Sequence, residues 1–281
     1  MMADSYSRLG PNFSATMVTS GPGATNLLTG IACSWFDSIP SLHICGQVNR
    51  HELASFGKST KKVRQVGFQE TDIVSMSKPI TKFAYQLKNE NEIRYTLEKA
   101  FYLSQEGRPG PVLIDIPMNL QRKIIDPKKL KSFFAKKKSP KKQKLINQIN
   151  KVLSQFKKSK RPVIIIGGGI RISKTNKELI FFLKNMNIPI VTTWSGIDAI
   201  THDYKNYIGC IGVYGSRAAN FVIQNSDFVL SLGSRLDTRV TGGVPKNFAR
   251  NAIIASVDID KYELNKKRGL KIEIKINESL K

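Results

Sequence analysis

The chain is poor in cysteine and histidine, and it contains no long apolar run. Its 281 residues include three cysteines and three histidines. Cys33, Cys45 and Cys210 lie within apolar patterns and show no metal-ligand spacing, which favours buried free thiols in a reducing cytoplasm. No apolar run approaches the roughly 20 residues that a membrane-spanning helix needs, so we expect no membrane partner.

Acidic residues are also scarce, and their shortage leaves a formal net charge of +24. The excess is mostly lysine and is spread along the chain, without the aromatic-interleaved basic motifs of nucleic-acid-binding modules. The densest cluster, between Lys128 and Lys144, contains nine lysines. We interpret it as a solvated linker and expect no specific nucleic-acid partner, with a basic nucleic-acid binder as the alternative.

Strands alternate with helices on both sides of this lysine cluster. The patterns indicate strands at 111–116, 162–166, 188–193, 228–232 and 252–258, and helices at 90–105, 149–156, 174–186 and 217–225. Such alternation is typical of parallel sheets covered by helices on both faces. The sequence therefore predicts an α/β fold with two doubly wound parallel-sheet domains, at 1–125 and 148–281, joined by a basic linker at 126–147.

The segment TSGPGATN, from Thr19 to Asn26, joins a short apolar run to a helical pattern. Residues 15–19 predict a buried strand, Gly21-Pro22-Gly23 predicts a tight turn, and apolar residues then recur at helical spacing over 24–36. A second strand follows at 41–45 and leads into Gly46-Gln47. In such a βαβ unit a ligand can approach the backbone of the turn closely, because glycine has no side chain.

The stretch from Thr19 to Val48 resembles the pyrimidine-binding domain of thiamine diphosphate enzymes, most closely the acetolactate synthase large subunit group. Blocks at 67–74, 78–82 and 107–117 are similar to later parts of that domain, and blocks at 235–242 and 257–260 are similar to parts of the family's central domain. The resemblance covers nearly the whole chain. It implies an N-terminally incomplete pyrimidine-binding domain followed by the central domain.

The resemblance also implies a reaction. Such an enzyme decarboxylates a small-molecule 2-oxo acid and transfers the two-carbon unit to a second carbonyl compound in branched-chain amino acid synthesis, as a homo-oligomer with thiamine diphosphate and Mg²⁺. The activating glutamate of the family would fall upstream of Met1, and the Gly-Asp-Gly block that anchors the diphosphate and its metal is absent from these residues. We therefore assign no certain catalytic residue and no metal ligand in this chain, and expect it to be inactive alone.

The resemblance places one set of residues facing substrate and cofactor. These are Gly21, Pro22, Gly23, Asn26, Gln47, Phe68 and Gln69. In this assignment the Gly-Pro-Gly backbone lies near the cofactor ring, Phe68 packs against the substrate funnel and Gln69 forms hydrogen bonds there. Asn26 either fixes the helix start beside the cofactor or is an ordinary helix cap.

Two details bear on that assignment. His51-Glu52 follows the second strand and is interpreted as surface. The chain between Gln47 and Phe68, which includes Lys61 to Gln65, is longer than is typical of acetolactate synthases. That length leaves a related decarboxylase or lyase of surface-sugar metabolism as an alternative.

The second domain resembles the central domain that carries FAD in acetolactate synthases. The resemblance implies that the flavin nucleotide contacts Arg108, Gly167, Gly168, Gly169, Tyr214, Arg235, Asp237, Arg239 and Asp258. Guanidinium groups suit a diphosphate, but no G-x-G-x-x-G follows the glycine run. Tyr214 stands where the family usually has histidine, and Leu236 and Thr238 interrupt its Arg-Phe-Asp-Asp-Arg pattern.

FAD is therefore an optional cofactor in this interpretation, and alternatives stay open. A central domain that has lost the flavin keeps the same fold, and Arg235 with Asp237 is then only a surface ion pair. A non-catalytic nucleotide-binding module that uses the glycine run alone is a further alternative.

Overall fold

The computed structural model describes residues 1–9, 12–57, 63–135, 142–184 and 186–280. The chain divides into two compact units, Met1–Lys138 and Ser139–Lys281. Part of the expected linker at 126–147 lies outside the described residues, as do Lys61 and Lys62 of the long stretch before Phe68. The sequence-based domain bounds therefore stay a prediction.

The first unit contains one parallel sheet in its described residues. Its strands are β1 (Ser14–Val18), β2 (Ser41–Gln47), β3 (Phe83–Gln86) and β4 (Pro111–Pro117), in the spatial order β1-β2-β4-β3. Its helices are α1 (Met2–Arg8), α2 (Pro22–Asp37), α3 (Ile73–Ser77), α4 (Ile93–Gln105) and α5 (Met118–Gln121). The βαβ unit that the glycine turn predicts is confirmed as β1, α2 and β2.

Successive residues of β4 supply two apolar cores, one on each face of this sheet. Leu113 packs with Ile31 of α2 on one face, and Val112 and Ile114 pack with Ala100 of α4 on the other. This alternation is the property of a strand, whose neighbouring side chains point to opposite faces. The continuous apolar run in β4 is therefore explained by burial on both faces.

The second unit contains a larger parallel sheet. Its strands are β5 (Pro162–Ile166), β6 (Ile190–Thr192), β7 (Tyr207–Cys210), β8 (Phe228–Leu232), β9 (Ile253–Val257) and β10 (Ile274–Ile276), in the spatial order β10-β9-β8-β5-β6-β7. Its helices are α6 (Lys142–Lys158), α7 (Gly169–Ser173), α8 (Asn176–Leu183), α9 (Arg217–Gln224), α10 (Thr238–Thr241) and α11 (Lys261–Asn265).

Both faces of this second sheet are also covered. Ile164 and Ile166 of β5 join a core with Leu183 of α8, whereas Val163 and Ile165 join the core on the opposite face. Two parallel sheets with flanking helices confirm the predicted α/β class.

The helix expected at 174–186 is shorter in the structure, where α8 runs from Asn176 to Leu183. A separate short helix, α7, precedes it and was not predicted. Lys174 adopts φ of 60°, in the left-handed region, and its N–H bonds the carbonyl of Arg171 at 3.0 Å, which closes α7. A helix of five residues is too short for its apolar periodicity to be recognised in the sequence.

Three further expectations can be compared with the described residues. No helix among them combines the length and the apolar character that crossing a membrane requires. The three cysteines are free, as expected, but only Cys45 is fully buried, while Cys33 and Cys210 are half-buried. His51 is exposed, in agreement with its interpretation as surface.

Candidate functional site

The glycine turn of the first unit lies at the carboxyl end of β1 and packs against a distant loop. Gly21 has φ of 60°, and a Cβ at this position would lie 2.8 Å from the Cβ of Gln69 and 2.9 Å from its carbonyl oxygen. Glycine is required here for both the left-handed backbone and the close approach. The structure therefore brings together two segments that the sequence separates by nearly fifty positions.

Gln69 is itself in an unusual conformation. It adopts φ of 59° although it is not glycine, which stores strain of about 1–3 kcal/mol. The neighbouring Phe68 is 84% exposed, and Pro22 on the turn is also exposed. A glutamine with a strained backbone and an exposed aromatic ring next to it are typical of a binding surface rather than of a core.

The loop that carries Phe68 and Gln69 is held by the carboxylate of Glu70. Its two oxygens accept hydrogen bonds from the backbone N–H groups of Ala54, at 2.7 Å, and Val66, at 3.0 Å. The N–H of Gly67 bonds the carbonyl of Glu52 at 2.8 Å. These bonds hold the chain in place on both sides of Phe68.

Gln47 lies beneath this loop, not on its surface. Its side chain is buried, and its Nε2 donates to the Thr71 carbonyl at 2.8 Å and to Asp115 Oδ2 at 3.2 Å. Its Oε1 accepts from the N–H of Val48 at 3.0 Å. The side chain therefore supports the loop from below, and the assignment of Gln47 as a substrate- or cofactor-facing residue stays a prediction.

Asn26 does not cap the helix. Helix α2 begins at Pro22 with Gly21 as its N-terminal flanking residue, so Asn26 lies in the second turn and is exposed. The cap interpretation of Asn26 is wrong because Gly-Pro-Gly starts the helix earlier than the apolar pattern suggests. Its exposure on the same helix end as Pro22 is compatible with a role in binding.

Three buried side chains of β2 and β4 have shifted pKa values. Burial lowers the pKa of His43 to about 4, with a further lowering from the positive N-terminal amine, and raises the pKa of Asp115 to about 6. Burial, with the neighbouring Asp115, raises the pKa of the Cys45 thiol to about 12. His43 bonds Thr16 at 2.8 Å and Ser41 at 2.9 Å, so it is a satisfied core side chain.

In the second unit the glycine run follows β5, but its side-chain directions are already filled. A Cβ on Gly167 would lie 2.3 Å from the Gly233 carbonyl oxygen, and one on Gly168 would lie 2.9 Å from the Ser195 carbonyl oxygen. A Cβ on Gly169 would lie 2.6 Å from the Gly233 Cα. The three glycines thus allow adjacent strand ends to pack together, which accounts for them without a ligand.

A cluster of two aromatic rings and one arginine lies at the carboxyl ends of the strands in this second sheet. Trp194 follows β6 and meets Tyr214, after β7, edge to face with ring centroids 5.4 Å apart. Arg239 Nη1 donates to the Tyr214 hydroxyl at 2.8 Å, and its guanidinium lies 5.3 Å from that ring. Trp194 is 67% exposed and Tyr214 is 64% exposed, so their rings are accessible to a planar partner.

The other residues implied for the flavin have partners of their own. Arg235 pairs with Asp237 at 3.2 Å, and Asp237 also accepts from the N–H of Arg239 at the start of α10. Asp258 follows β9 and accepts from the N–H of Asp260 at 2.8 Å. Arg108 belongs to the first unit, where its Nε donates to Ser38 Oγ at 2.8 Å.

The described residues contain no group of three or more His, Cys, Asp or Glu side chains that could hold a metal ion. The candidate binding surfaces are therefore the loop at Phe68 and Gln69 in the first unit and the aromatic cluster in the second.

Comparison with known families decides what these two units are. Residues 1–76 match the family model "Thiamine pyrophosphate enzyme, N-terminal TPP binding domain", and residues 149–281 match "Thiamine pyrophosphate enzyme, central domain". The chain belongs to the thiamine pyrophosphate enzyme family. The resemblance read from the sequence blocks is thereby confirmed.

Within this family the chain is similar to acetolactate synthase large subunits. It is 35% identical to a probable large subunit from Methanococcus aeolicus over 97% of this chain, and 37% identical to that of Lactococcus lactis over 94%. It is 34% identical to the chloroplastic acetolactate synthase 2 of Nicotiana tabacum over 97%. These matches cover 44%, 44% and 39% of the relatives, so the chain spans less than half of their length.

For this thiamine pyrophosphate enzyme chain, sequence reasoning did not single out Asp115, Glu70 or Trp194. Asp115 carried one usable signal, since it is the only acidic residue within the apolar run 111–117. Glu70 stands next to Gln69 in a block that was noted, but its two backbone partners are distant in sequence. Trp194 had no signal, because a single aromatic residue after a strand is ordinary.

Proposed function

We propose that this chain supplies the substrate-facing side of a thiamine diphosphate site in an acetolactate synthase-type enzyme. The observation that carries the proposal is the contact between Gly21 and Gln69, whose sequence neighbours Pro22 and Phe68 are both exposed. The similarity to acetolactate synthase large subunits supports the same conclusion.

The residues present fit one face of a planar heterocycle. Gly21 lets the Gln69 loop pack against the turn, Gly23 makes room for the Thr19 methyl group, and Phe68 offers an exposed apolar surface next to Gln69. Thiamine diphosphate, when bound, supplies the electron sink for decarboxylation of a 2-oxo acid, while the protein contributes orientation and exclusion of water. Phe68 would exclude water from the substrate, and the Gln69 amide would donate a hydrogen bond to one of its oxygen atoms.

The remaining features of the whole enzyme belong to this proposal. It acts on pyruvate or a similar small 2-oxo acid, uses Mg²⁺ with the diphosphate, works in the cytoplasm in branched-chain amino acid synthesis and assembles as a homo-oligomer. Phe68 exposed to 84% supports an assembled site, because an apolar ring of that exposure gains from being covered. Light scattering of the purified protein measures the assembly.

A matched pair of phenylalanine variants tests the function. The protein is expressed with any segments that flank these residues in the natural chain, and acetolactate formation from pyruvate is measured with thiamine diphosphate and Mg²⁺. We expect Phe68→Ala to lower kcat/KM by about 10-fold or more, which corresponds to roughly 1.4 kcal/mol of transition-state stabilisation. Phe134, which is 85% exposed, gives the control Phe134→Ala, with no expected change. A parent protein that forms no acetolactate, or equal effects of both variants, would contradict the proposal.

We further propose that the second unit binds FAD through its aromatic cluster. The residues fit a flavin nucleotide in part: Trp194 and Tyr214 offer exposed rings, and Arg239 offers a cation beside them. The glycine run does not fit the cradle for the diphosphate that its sequence suggested, because Gly233 and Ser195 fill the directions of its missing side chains. The proposal therefore depends on the aromatic cluster and on Arg235 and Arg239. The alternative of a non-catalytic nucleotide-binding module that uses the glycine run alone loses its support.

Fluorescence of one tryptophan tests this binding. The chain has two tryptophans, so Trp35→Phe leaves Trp194 as the sole reporter. We expect FAD to quench its emission, and Arg239→Ala to weaken the affinity by about 10-fold or more, since bonds to charged groups contribute roughly 1.5–3 kcal/mol. Lys205 precedes β7 and therefore lies at the amino ends of the strands, whereas the aromatic cluster lies at their carboxyl ends. Lys205→Ala should therefore leave the affinity for FAD unchanged. Absence of quenching, or equal loss in both variants, would leave the second unit without a flavin site.

A further inference from the structure

Asp115 is a buried carboxyl group in the middle of β4 that apolar packing does not explain. Its exposure is 0%, and the residues that precede it in the strand form the core. Its Oδ2 accepts from Gln86 Nε2 at 2.7 Å and from Gln47 Nε2 at 3.2 Å. Within the described part of the chain, its buried Oδ1 has no hydrogen-bond partner. A buried acid with an unused oxygen is costly, which points to a role beyond stability.

The contacts of Gln47 connect this carboxyl group to the candidate site. The same Nε2 that bonds Asp115 also donates to the Thr71 carbonyl at 2.8 Å. The Thr71 hydroxyl in turn donates to the Gln69 carbonyl at 3.4 Å. That carbonyl and the Gln69 Cβ are the atoms that approach Gly21. A continuous path of polar contacts therefore runs from Asp115 through Gln47 and Thr71 to Gln69.

We propose that Asp115 is a positioning residue for the substrate-facing loop: by orienting Gln47 it fixes Thr71, and through Thr71 it keeps Gln69 in its left-handed conformation against the glycine turn. The inference rests on the proposed function, because the position of Gln69 matters for turnover only if this loop faces substrate. A carboxylate suits the role because it is an acceptor only and receives both amide groups at once. Both amides bond the same oxygen, Oδ2, so asparagine would keep an acceptor for them, whereas leucine, of similar size, accepts neither bond.

Hydrogen exchange of the 281-residue chain, followed by NMR at single amides, tests the path. The variants are Asp115→Leu, Gln47→Leu and the double variant, with Asp4→Leu as the control. Asp4 is a buried acid of the same unit, but it bonds Arg8 at 2.7 Å and Ser34 at 2.8 Å. We expect Asp115→Leu and Gln47→Leu each to speed exchange across residues 67–72 by about 10-fold, the equivalent of one bond to a charged group.

Two further exchange results distinguish a positioning role of Asp115 from a general loss of stability of the fold. Exchange in α4, which packs on the other face of β4, should stay unchanged in all variants. The double variant should exchange at 67–72 no faster than Gln47→Leu alone, because both changes interrupt one path. Equal effects of Asp115→Leu and Asp4→Leu on 67–72, or additive effects in the double variant, would overturn the proposal.

The outcomes for the inference and for the proposed function remain distinguishable. The exchange experiment needs no cofactor and no turnover, so it can fail while acetolactate formation by the parent protein is observed. Conversely, a parent protein without acetolactate activity would contradict the proposed function and leave the measured path from Asp115 to Gln69 intact.

Discussion

At the scale of single residues, the first unit places ionisable groups inside an otherwise apolar sheet. His43 and Asp115 are both buried, and their pKa values move to about 4 and to about 6. Each group resists becoming charged inside the fold, because burial disfavours the ionised form. The two groups therefore act on stability in opposite directions as the pH changes.

The first prediction concerns these opposite slopes. Unfolded His43 takes up a proton near pH 6.5 and folded His43 only near 4, so its contribution is lost as the pH falls, by about 3 kcal/mol at pH 4. Folded Asp115 keeps its proton up to about pH 6, so its contribution is present at low pH and is lost as the pH rises from about 3.8 to 6. With both groups present, the two slopes largely cancel between pH 4 and 6.

Single variants should reveal the two slopes. We expect His43→Gln to make the first unit less stable as the pH rises from 4 to 6, and Asp115→Asn to make it more stable over the same interval. Urea unfolding in a Trp194→Phe background, followed by Trp35 emission, reports on the first unit alone. Parallel stability profiles for both variants and the parent protein would show that the two groups do not titrate as the structure implies.

The second prediction compares two glycines with nearly the same backbone angle. Gly21 and Gly107 have φ of 60° and 62°, but a Cβ on Gly107 would meet nothing within 4 Å. Gly107→Ala should therefore cost only the left-handed backbone, about 1–2 kcal/mol. Gly21→Ala adds the overlap with Gln69 and should cost a further 1–3 kcal/mol or so by overpacking. Equal losses in urea unfolding would mean that the turn and the Gln69 loop are not in contact.

At the scale of elements, periodicity and turn residues predicted the helices and strands that have strong local signals. The strands at 162–166 and 228–232 coincide with β5 and β8, because their apolar runs are bounded by turn signals. Strands β3, β7 and β10 were missed, since they lie at or near sheet edges and lack a continuous apolar run. Edge strands depend on the sheet beside them, which local sequence does not show.

The candidate site shows the same division between local and distant information. The glycine turn could be located from Thr19 to Asn26 alone, because Gly-Pro-Gly after an apolar run has a local meaning. Its contact with Gln69 and the support from Gln47 and Asp115 depend on the order of strands in the sheet. The sequence alone consequently gave no sign that Gln47 supports the Gln69 loop from beneath.

The third prediction concerns the loop as an element. Glu70 accepts from the N–H groups of Ala54 and Val66, so Glu70→Ala should remove this acceptor from both and speed their hydrogen exchange by about 10- to 100-fold. Glu178 is an exposed acid on α8, and Glu178→Ala should leave those two amides unchanged. Unaltered protection of Ala54 and Val66 in Glu70→Ala would show that another contact holds the loop.

At the scale of the whole molecule, the two units share an architecture and differ in what they expose. The first unit exposes the ring of Phe68 next to Gln69, whose backbone is strained. The second unit exposes the rings of Trp194 and Tyr214 beside Arg239. Both surfaces lie where parallel strands end, the position at which open α/β sheets collect their ligands. The central claim is that these surfaces belong to an enzyme of the acetolactate synthase type.

The most direct measurement of that claim uses a chimera in which this chain replaces the segment that it matches in the Lactococcus lactis large subunit. Circular dichroism first establishes that the chimera is folded, and acetolactate formation from pyruvate is then measured with thiamine diphosphate and Mg²⁺. The account predicts acetolactate formation, with kcat lowered by about 10-fold or more in the Gln69→Ala chimera, as expected for loss of a transition-state contact. A folded chimera that binds thiamine diphosphate but forms no acetolactate would contradict it.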